Sequence, residues 1–267
     1  MKKNTIRIGI VQENPIVGDI AGNTDLALSA IRSLQKQNPD VILFTEMFLT
    51  GYPPEDLVLR EDLLESVNYA IKRLSHEFPN TPVVIGYPRK KGNSLFNSAG
   101  VIFSGSLQSE YFKQELPNYK VFDEKRYFEP GNEPLLLEIK GKKLAITICE
   151  DIWHSKAIRQ ASRKGADLVL NLNASPFHIN KSHERQELLE KHSNKYSLPI
   201  VYANQVGGQD ELVFDGSSFV VTPGLGKVVQ MKSFEKQIKV VEFFESEDGR
   251  LTTDQDQLSL RSDLKDV

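Results

Sequence analysis

The chain has 267 residues, 39% of them apolar and 26% charged, and a net charge of −3. That suffices for one large α/β core, and the small acidic excess argues against nucleic acid or an anionic membrane surface as the main partner. No apolar run approaches the roughly 20 residues needed to span a bilayer, and a lone cysteine excludes an intrachain disulfide and fits a reducing cytoplasm.

The opening MKKNTIRIGI has no apolar core segment and no small-residue cleavage site, so it does not read as a signal peptide. Residues 6–12 alternate and predict a first strand. A helix is expected over 22–37, with Asn23 or Thr24 near its start and Asn38-Pro39 at its end. Residues 41–45 (VILFT) predict a buried strand. Leu64, Val67, Ile71 and Leu74 share one face of a helix over 61–78, and 82–87 predicts another strand. The stretch 95–113 reads as β structure with a hairpin turn at Gly105-Ser106. Strands are expected at 134–140 and 142–149 around Gly141, a helix at about 154–164, and a strand at 167–172. A helix at about 182–197 and a strand at 200–203 follow, and then two antiparallel strands flanking Gly216. From 232 the chain is charged and loses its periodicity, and 246–267 reads as a tail or interdomain linker. Helices alternating with strands, together with hairpins, predict a layered α/β fold with mixed sheets.

Three residues stand where chemistry is placed in such folds, at the ends of predicted strands. In LAITICEDIW, Cys149 ends a strand and acidic residues follow, as in the first turn of a helix. That strand-to-helix turn would expose a nucleophile, aim backbone N–H groups beside it and favour thiolate over thiol. In TEMFLTGYPP, Glu46 follows VILFT directly, a position suited to a general base. In EYFKQELPNY, Lys113 ends a strand, where its cation would stabilise an oxyanion. Each has a plainer alternative: a packed cysteine, a capping glutamate, a solvated lysine.

These residues resemble the nitrilase, or carbon–nitrogen hydrolase, superfamily, most closely the glutaminase domains of bacterial glutamine-dependent NAD synthetases. The resemblance is carried by TEMFLTGYPPEDL (45–57), KQELPNYKVFDEKRYFEPG (113–131), ICEDIW (148–153), LNASPF (172–177) and NQVGGQDELVFDGSSF (204–219). It implies an α-β-β-α sandwich over 1–245, with helices on the outer faces. It implies Glu46 as base, Lys113 and the N–H after Cys149 as oxyanion donors, and Cys149 as the nucleophile that forms a thioester with L-glutamine. Glu124 would orient the lysine. Tyr119, Ser175 and Lys181 match glutamine-contacting positions, and Glu150 and Trp153 line the same loop. Lys181 would serve the substrate carboxylate and Glu150 its ammonium.

The resemblance further implies no metal and no organic cofactor for the hydrolysis. No SGG-x-DS phosphate-binding signature is present, so ATP and deamido-NAD would bind only a synthetase domain or subunit outside this chain. A homo-oligomer is expected by analogy. Other readings stay open at this point. One is an amidase for another small amide, and another is a domain silent without its synthetase partner. A third is a cysteine–histidine hydrolase using His154, His178, His183 or His192, which would leave Glu46 and Lys113 unexplained.

Overall fold

The computed structural model describes residues 5–78 and 80–253. Strands β1 (Ile6–Gln12), β2 (Val41–Leu43), β3 (Val83–Lys91), β4 (Ser94–Phe103) and β5 (Ser106–Phe112) come first. They are followed by β6 (Leu135–Ile139), β7 (Lys142–Ile148), β8 (Leu168–Asn173) and β9 (Ile200–Asn204). Then come β10 (Val206–Gln209), β11 (Leu212–Asp215), β12 (Phe219–Thr222), β13 (Gly226–Gln230), β14 (Gln237–Glu245) and β15 (Leu251–Thr252). The longer helices are α1 (Ile20–Gln35), α2 (Glu61–Glu77), α3 (Ser155–Arg163) and α4 (Lys181–Tyr196).

One mixed sheet runs β15-β14-β1-β2-β3-β4-β5 and a second runs β13-β12-β9-β8-β7-β6, with β10-β11 a separate hairpin. The period-2 pattern of the strands explains the layers. Ile6, Ile8 and Ile10 point inward and pack with Ile146, Ile148, Leu170 and Leu172 of the second sheet. On the outer face of the first sheet, Ile42, Phe44 and Ile85 meet Leu28, Ile31 and Leu34 of α1 and Val67, Ile71 and Leu74 of α2. On the outer face of the second, Val169, Ile200 and Tyr202 meet Ile158 of α3 and Leu189 of α4. This is the expected α-β-β-α sandwich. No helix among the described residues is long and apolar enough to cross a membrane.

Several local expectations are corrected. Helix α1 begins at Ile20, because the Asp19 side chain accepts from Gly22 N and caps it. Asn23 instead holds a loop: its amide bonds Ile16 and the Leu49 carbonyl. Strand β3 runs on to Lys91 and pairs with β4, and the β4–β5 turn is Ser104-Gly105, both with positive φ. The strands flanking Gly216 do not pair with each other. β11 pairs with β10, and β12 pairs with β9 and β13.

The largest correction is at the C-terminal end. Residues 237–245 form a strand along the whole length of β1, from Gln12↔Gln237 to Ile6↔Phe243. β15 then pairs with Phe244 and Glu245, and Leu251 is 2% exposed in the inter-sheet core. The expected tail over 246–267 therefore contains core structure through Thr253, and its remainder, 254–267, lies outside the described residues. Lys239 and Glu245 share the face of Val241 and Phe243 and broke the apolar alternation that would mark a strand, because only Val241 and Phe243 are fully buried.

Leu251→Ala should cost about 2–4 kcal/mol, the range for emptying a buried leucine site. Chemical denaturation checks this, and a change within about 0.5 kcal/mol, typical of exposed positions, would contradict the packing of β15.

Candidate active site

Glu46 comes three residues after β2, on a backbone pressed against β3. Phe44 N bonds Val84 O and Gly86 N bonds Thr45 O. A Cβ on Gly86 would lie 2.4 Å from Met47 N and 2.6 Å from Thr45 O, so only glycine admits this approach. The Glu46 carboxylate is fully buried. Its Oε1 accepts from Lys113 Nζ and Asn97 Nδ2, each at 2.7 Å, and its Oε2 accepts from Ala174 N at 3.0 Å. These three partners come from three places, the residue after β5, the middle of β4 and the residue after β8, so one side chain joins the two sheets.

Lys113 directly follows β5, with its N–H on Asn97 O at 2.9 Å. It is 1% exposed, and its Nζ also donates to Glu124 Oε1 at 2.8 Å. Tyr52 donates to the same Glu124 oxygen at 2.9 Å. Burial pulls the lysine toward neutrality, but the carboxylates of Glu124 and Glu46 outweigh it and the ammonium stays charged. Burial drives Glu124 up to about 7 against the pull of Lys113.

Cys149 begins a short 3₁₀ segment, Cys149–Ile152, immediately after β7. Its φ is 40°, the left-handed region that a side-chain-bearing residue adopts at some cost, so the turn is strained as in a nucleophile elbow. The pull of the helical turn toward thiolate, expected from the sequence, is outweighed here. Burial, then the nearby Glu46 carboxylate, push the thiol well above its ordinary value, and the Lys113 charge only partly opposes them. The start of one short helical turn cannot offset that desolvation.

Asp151 ties this turn to the lysine segment. Its Oδ1 accepts from Gln114 N and Glu115 N at 2.9 Å, and its Oδ2 from Ile148 N at 2.9 Å and Tyr111 Oη at 2.7 Å. Four donors thus meet one buried carboxylate between the strand ends that carry Lys113 and Cys149.

A cavity of about 280 Å³ opens onto Cys149. Tyr119, Glu150, Trp153, Ser175 and Lys181 all line it, so every predicted substrate-contacting residue faces one space. Glu150 is held by the Tyr119 hydroxyl at 2.9 Å and faces His154 Nε2 at 3.3 Å. Lys181 Nζ lies 3.7 Å from the centre of the Trp153 ring and 3.6 Å from Glu184. The cavity therefore carries an acid on one element and a base on another. Phe122, Phe177 and Leu212 add apolar wall.

Sequence reasoning missed Asn97, Tyr52, Asp151 and Arg185. Asn97 had a signal, a buried amide inside the apolar strand SLFNSAG. Asp151 and Tyr52 sat within motifs already singled out, but nothing in one dimension distinguishes a capping acid from one that joins two segments. The carboxylates and Lys113, not a histidine, are the charges that act on Cys149, which disfavours the cysteine–histidine reading.

Residues 7–244 match the carbon–nitrogen hydrolase family. The chain belongs to that family. It is 40% identical over 239 residues to a glutamine-dependent NAD(+) synthetase of Aquifex aeolicus, covering 88% of this chain and 42% of that protein. A synthetase of the same description from Acinetobacter baylyi is 38% identical, covering 90% and 44%. Among solved structures, the glutamine-dependent NAD+ synthetase of Acinetobacter baumannii with ADP superposes with TM-score 0.88 at 37% identity, over 93% of this chain and 47% of that one. An amidase from Nesterenkonia sp. AN1, a Glu→Gln mutant with the acetamide moiety of fluoroacetamide added covalently at its active-site cysteine, superposes with TM-score 0.80 at 25% identity, over 97% and 94%. The chain spans less than half the length of the synthetases it resembles.

Because the thiol is held above its ordinary value of 9.0, alkylation of Cys149 by iodoacetamide should still be accelerating at that pH. A rate that levels off near neutrality would mean a resting thiolate. Asp151→Asn puts an amide donor among four donors and should lower stability by about 2–3 kcal/mol, as expected for a charged hydrogen-bond centre left unsatisfied. Thermal unfolding at neutral pH checks it, and an unchanged midpoint would remove Asp151 from this joint.

Proposed function

We propose that this chain hydrolyses the side-chain amide of L-glutamine to glutamate and ammonia. One observation carries the reading: a cavity with Cys149 beside the buried Glu46–Lys113 pair also bears Glu150 and Lys181, opposite charges suited to the ammonium and carboxylate of a free amino acid. Tyr119 fixes Glu150, and Trp153 supports Lys181 through a cation–π contact. Ser175 adds a hydroxyl to the same wall.

The chemistry follows from the charges. The resting thiol gives its proton to Glu46 as sulfur attacks the amide carbon. The Lys113 ammonium and the backbone N–H after Cys149 take up the charge developing on oxygen. Glu46 returns the proton to the leaving nitrogen, and ammonia departs, leaving a γ-glutamyl thioester. Glu46 then deprotonates water, which attacks the thioester and frees glutamate and the thiol. Glu124 and Tyr52 keep Lys113 aimed. Nucleophile, base and cation all come from the protein, so the reading asks for no metal or organic cofactor.

In this reading the ammonia serves a synthetase domain or subunit that amidates deamido-NAD with ATP. The match to under half of each synthetase supports that division of labour. Residues 1–245 would form the glutaminase unit, extended by the β14–β15 hairpin, and the working assembly would be a cytoplasmic homo-oligomer.

The decisive test is ammonia release from glutamine by the unaltered chain and by Cys149→Ala. Release that disappears in the variant is expected. Equal release from both, or turnover of simple amides but not of glutamine, would overturn the reading. Lys181→Ala should raise KM for glutamine by roughly 10- to 100-fold, the worth of a charge-assisted hydrogen bond, while changing kcat far less. Equal effects on both would remove Lys181 as a carboxylate partner.

A further inference from the structure

Among the described residues Arg185 is the largest side chain that is fully enclosed, 1% exposed on the inner face of α4, and it does not line the cavity. A buried guanidinium is costly to desolvate, and here Nε has no hydrogen-bond partner, so the two Nη groups carry all of its contacts. Its Nη1 donates to both oxygens of Asp215, at 2.8 and 3.0 Å. Its Nη2 donates to Ser175 O at 2.7 Å, Ser175 Oγ at 3.1 Å and Pro176 O at 3.0 Å. Asn204 completes the arrangement, with its Oδ1 accepting from Ser175 N at 2.9 Å and its Nδ2 donating to Gly216 O at 3.0 Å.

The two ends of this guanidinium grip the two sides of the cavity. Ser175 and Pro176 begin the segment that leads to Lys181, and Asp215 ends β11, whose hairpin supplies Glu211 and Leu212 to the adjoining wall. The walls also meet through Phe177 N on Val213 O at 2.7 Å. An arginine donates and never accepts, so the Ser175 oxygen is used as an acceptor from behind. Its own hydrogen then has two directions, the neighbouring Tyr202 oxygen and the cavity, and donation into the cavity suits a substrate carboxylate or carbonyl oxygen. Tyr202, packed beside the same serine and guanidinium, encloses this joint from the second sheet.

We propose that Arg185 is a positioning residue for substrate recognition: by bridging Asp215 to Ser175 and Pro176 it sets the spacing of the cavity walls and makes the Ser175 hydroxyl a donor to a carboxylate or carbonyl oxygen of the substrate. The inference rests on the glutaminase reading and extends it to a residue outside the substrate's reach.

The test is Arg185→Lys, which keeps the charge but cannot span both partners. The unaltered chain, Arg185→Lys, Ser175→Ala and the double variant would be compared for kcat and KM with glutamine. Alkylation of Cys149 by iodoacetamide, an amide without a carboxylate, reports on the nucleophile alone. Arg185→Lys should raise KM by about tenfold or more and lower kcat by less than about threefold, a loss of binding and not of chemistry. Its alkylation rate should stay within about twofold of the unaltered chain, and the double variant should be no worse than Ser175→Ala, because the two residues act as one unit. If Arg185→Lys does not fold, Asp215→Asn should show the same split in smaller measure. An unchanged KM, or KM, kcat and alkylation failing together, would overturn the inference while leaving the glutaminase reading intact. No glutamine hydrolysis by the unaltered chain would remove both.

Discussion

The Lys113 ammonium has almost no water around it, and the two carboxylates that neutralise it come from distant parts of the chain. Glu46 arrives from the end of β2 and Glu124 from the loop before β6. Removing the cation would leave two carboxylates buried side by side, and breaking such a pair typically costs about 3–5 kcal/mol. Removing either carboxylate shifts the load to the other. Three further groups are tied to this cluster: Asn97 braces Glu46, Tyr52 braces Glu124, and Ala174 N brings in the second sheet.

The same cluster explains why the cysteine rests as a thiol. A thiolate would add a third negative charge next to Glu46 in a dry site, and one lysine already shared between two carboxylates cannot neutralise it. Proton transfer to Glu46 keeps the charge count constant, so the attack needs no separated ions. In the proposed reaction the site moves one proton and one acyl group against a fixed background of charge, which is the kind of preorganisation that lowers barriers. Asp151 fixes the Lys113 and Cys149 segments to each other, so distance along the chain is replaced by four hydrogen bonds to one carboxylate.

Much of this could be read from the sequence because the residues proposed as catalytic sit near the ends of strands. Val41 to Leu43 and Leu144 to Ile148 run or alternate apolar, and Glu46 and Cys149 lie within three residues of their ends, where a layered fold gathers its chemistry. The four-layer sandwich and the triad positions followed from that pattern together with the family resemblance. What failed was set by partners far away in sequence. Strand β14 is legible only beside β1, more than 220 residues earlier. The turn that favours a Cys149 thiolate is local and visible in the sequence, whereas the burial and the Glu46 charge that outweigh it are not. Arg185 reads as one charge among many in KSHERQELLEK, and only folding shows that it is enclosed.

The central claim is that Cys149 forms an acyl bond with glutamine and that Glu46 takes the thiol proton as that bond forms. The most direct measurement is the mass of the Cys149 peptide after rapid mixing with glutamine, acid quenching and digestion. The account predicts a γ-glutamyl adduct on that peptide from the unaltered chain, absent from Cys149→Ala and strongly reduced in Glu46→Gln. Glutamine turnover that survives Cys149→Ala, or an undiminished adduct in Glu46→Gln, would contradict it.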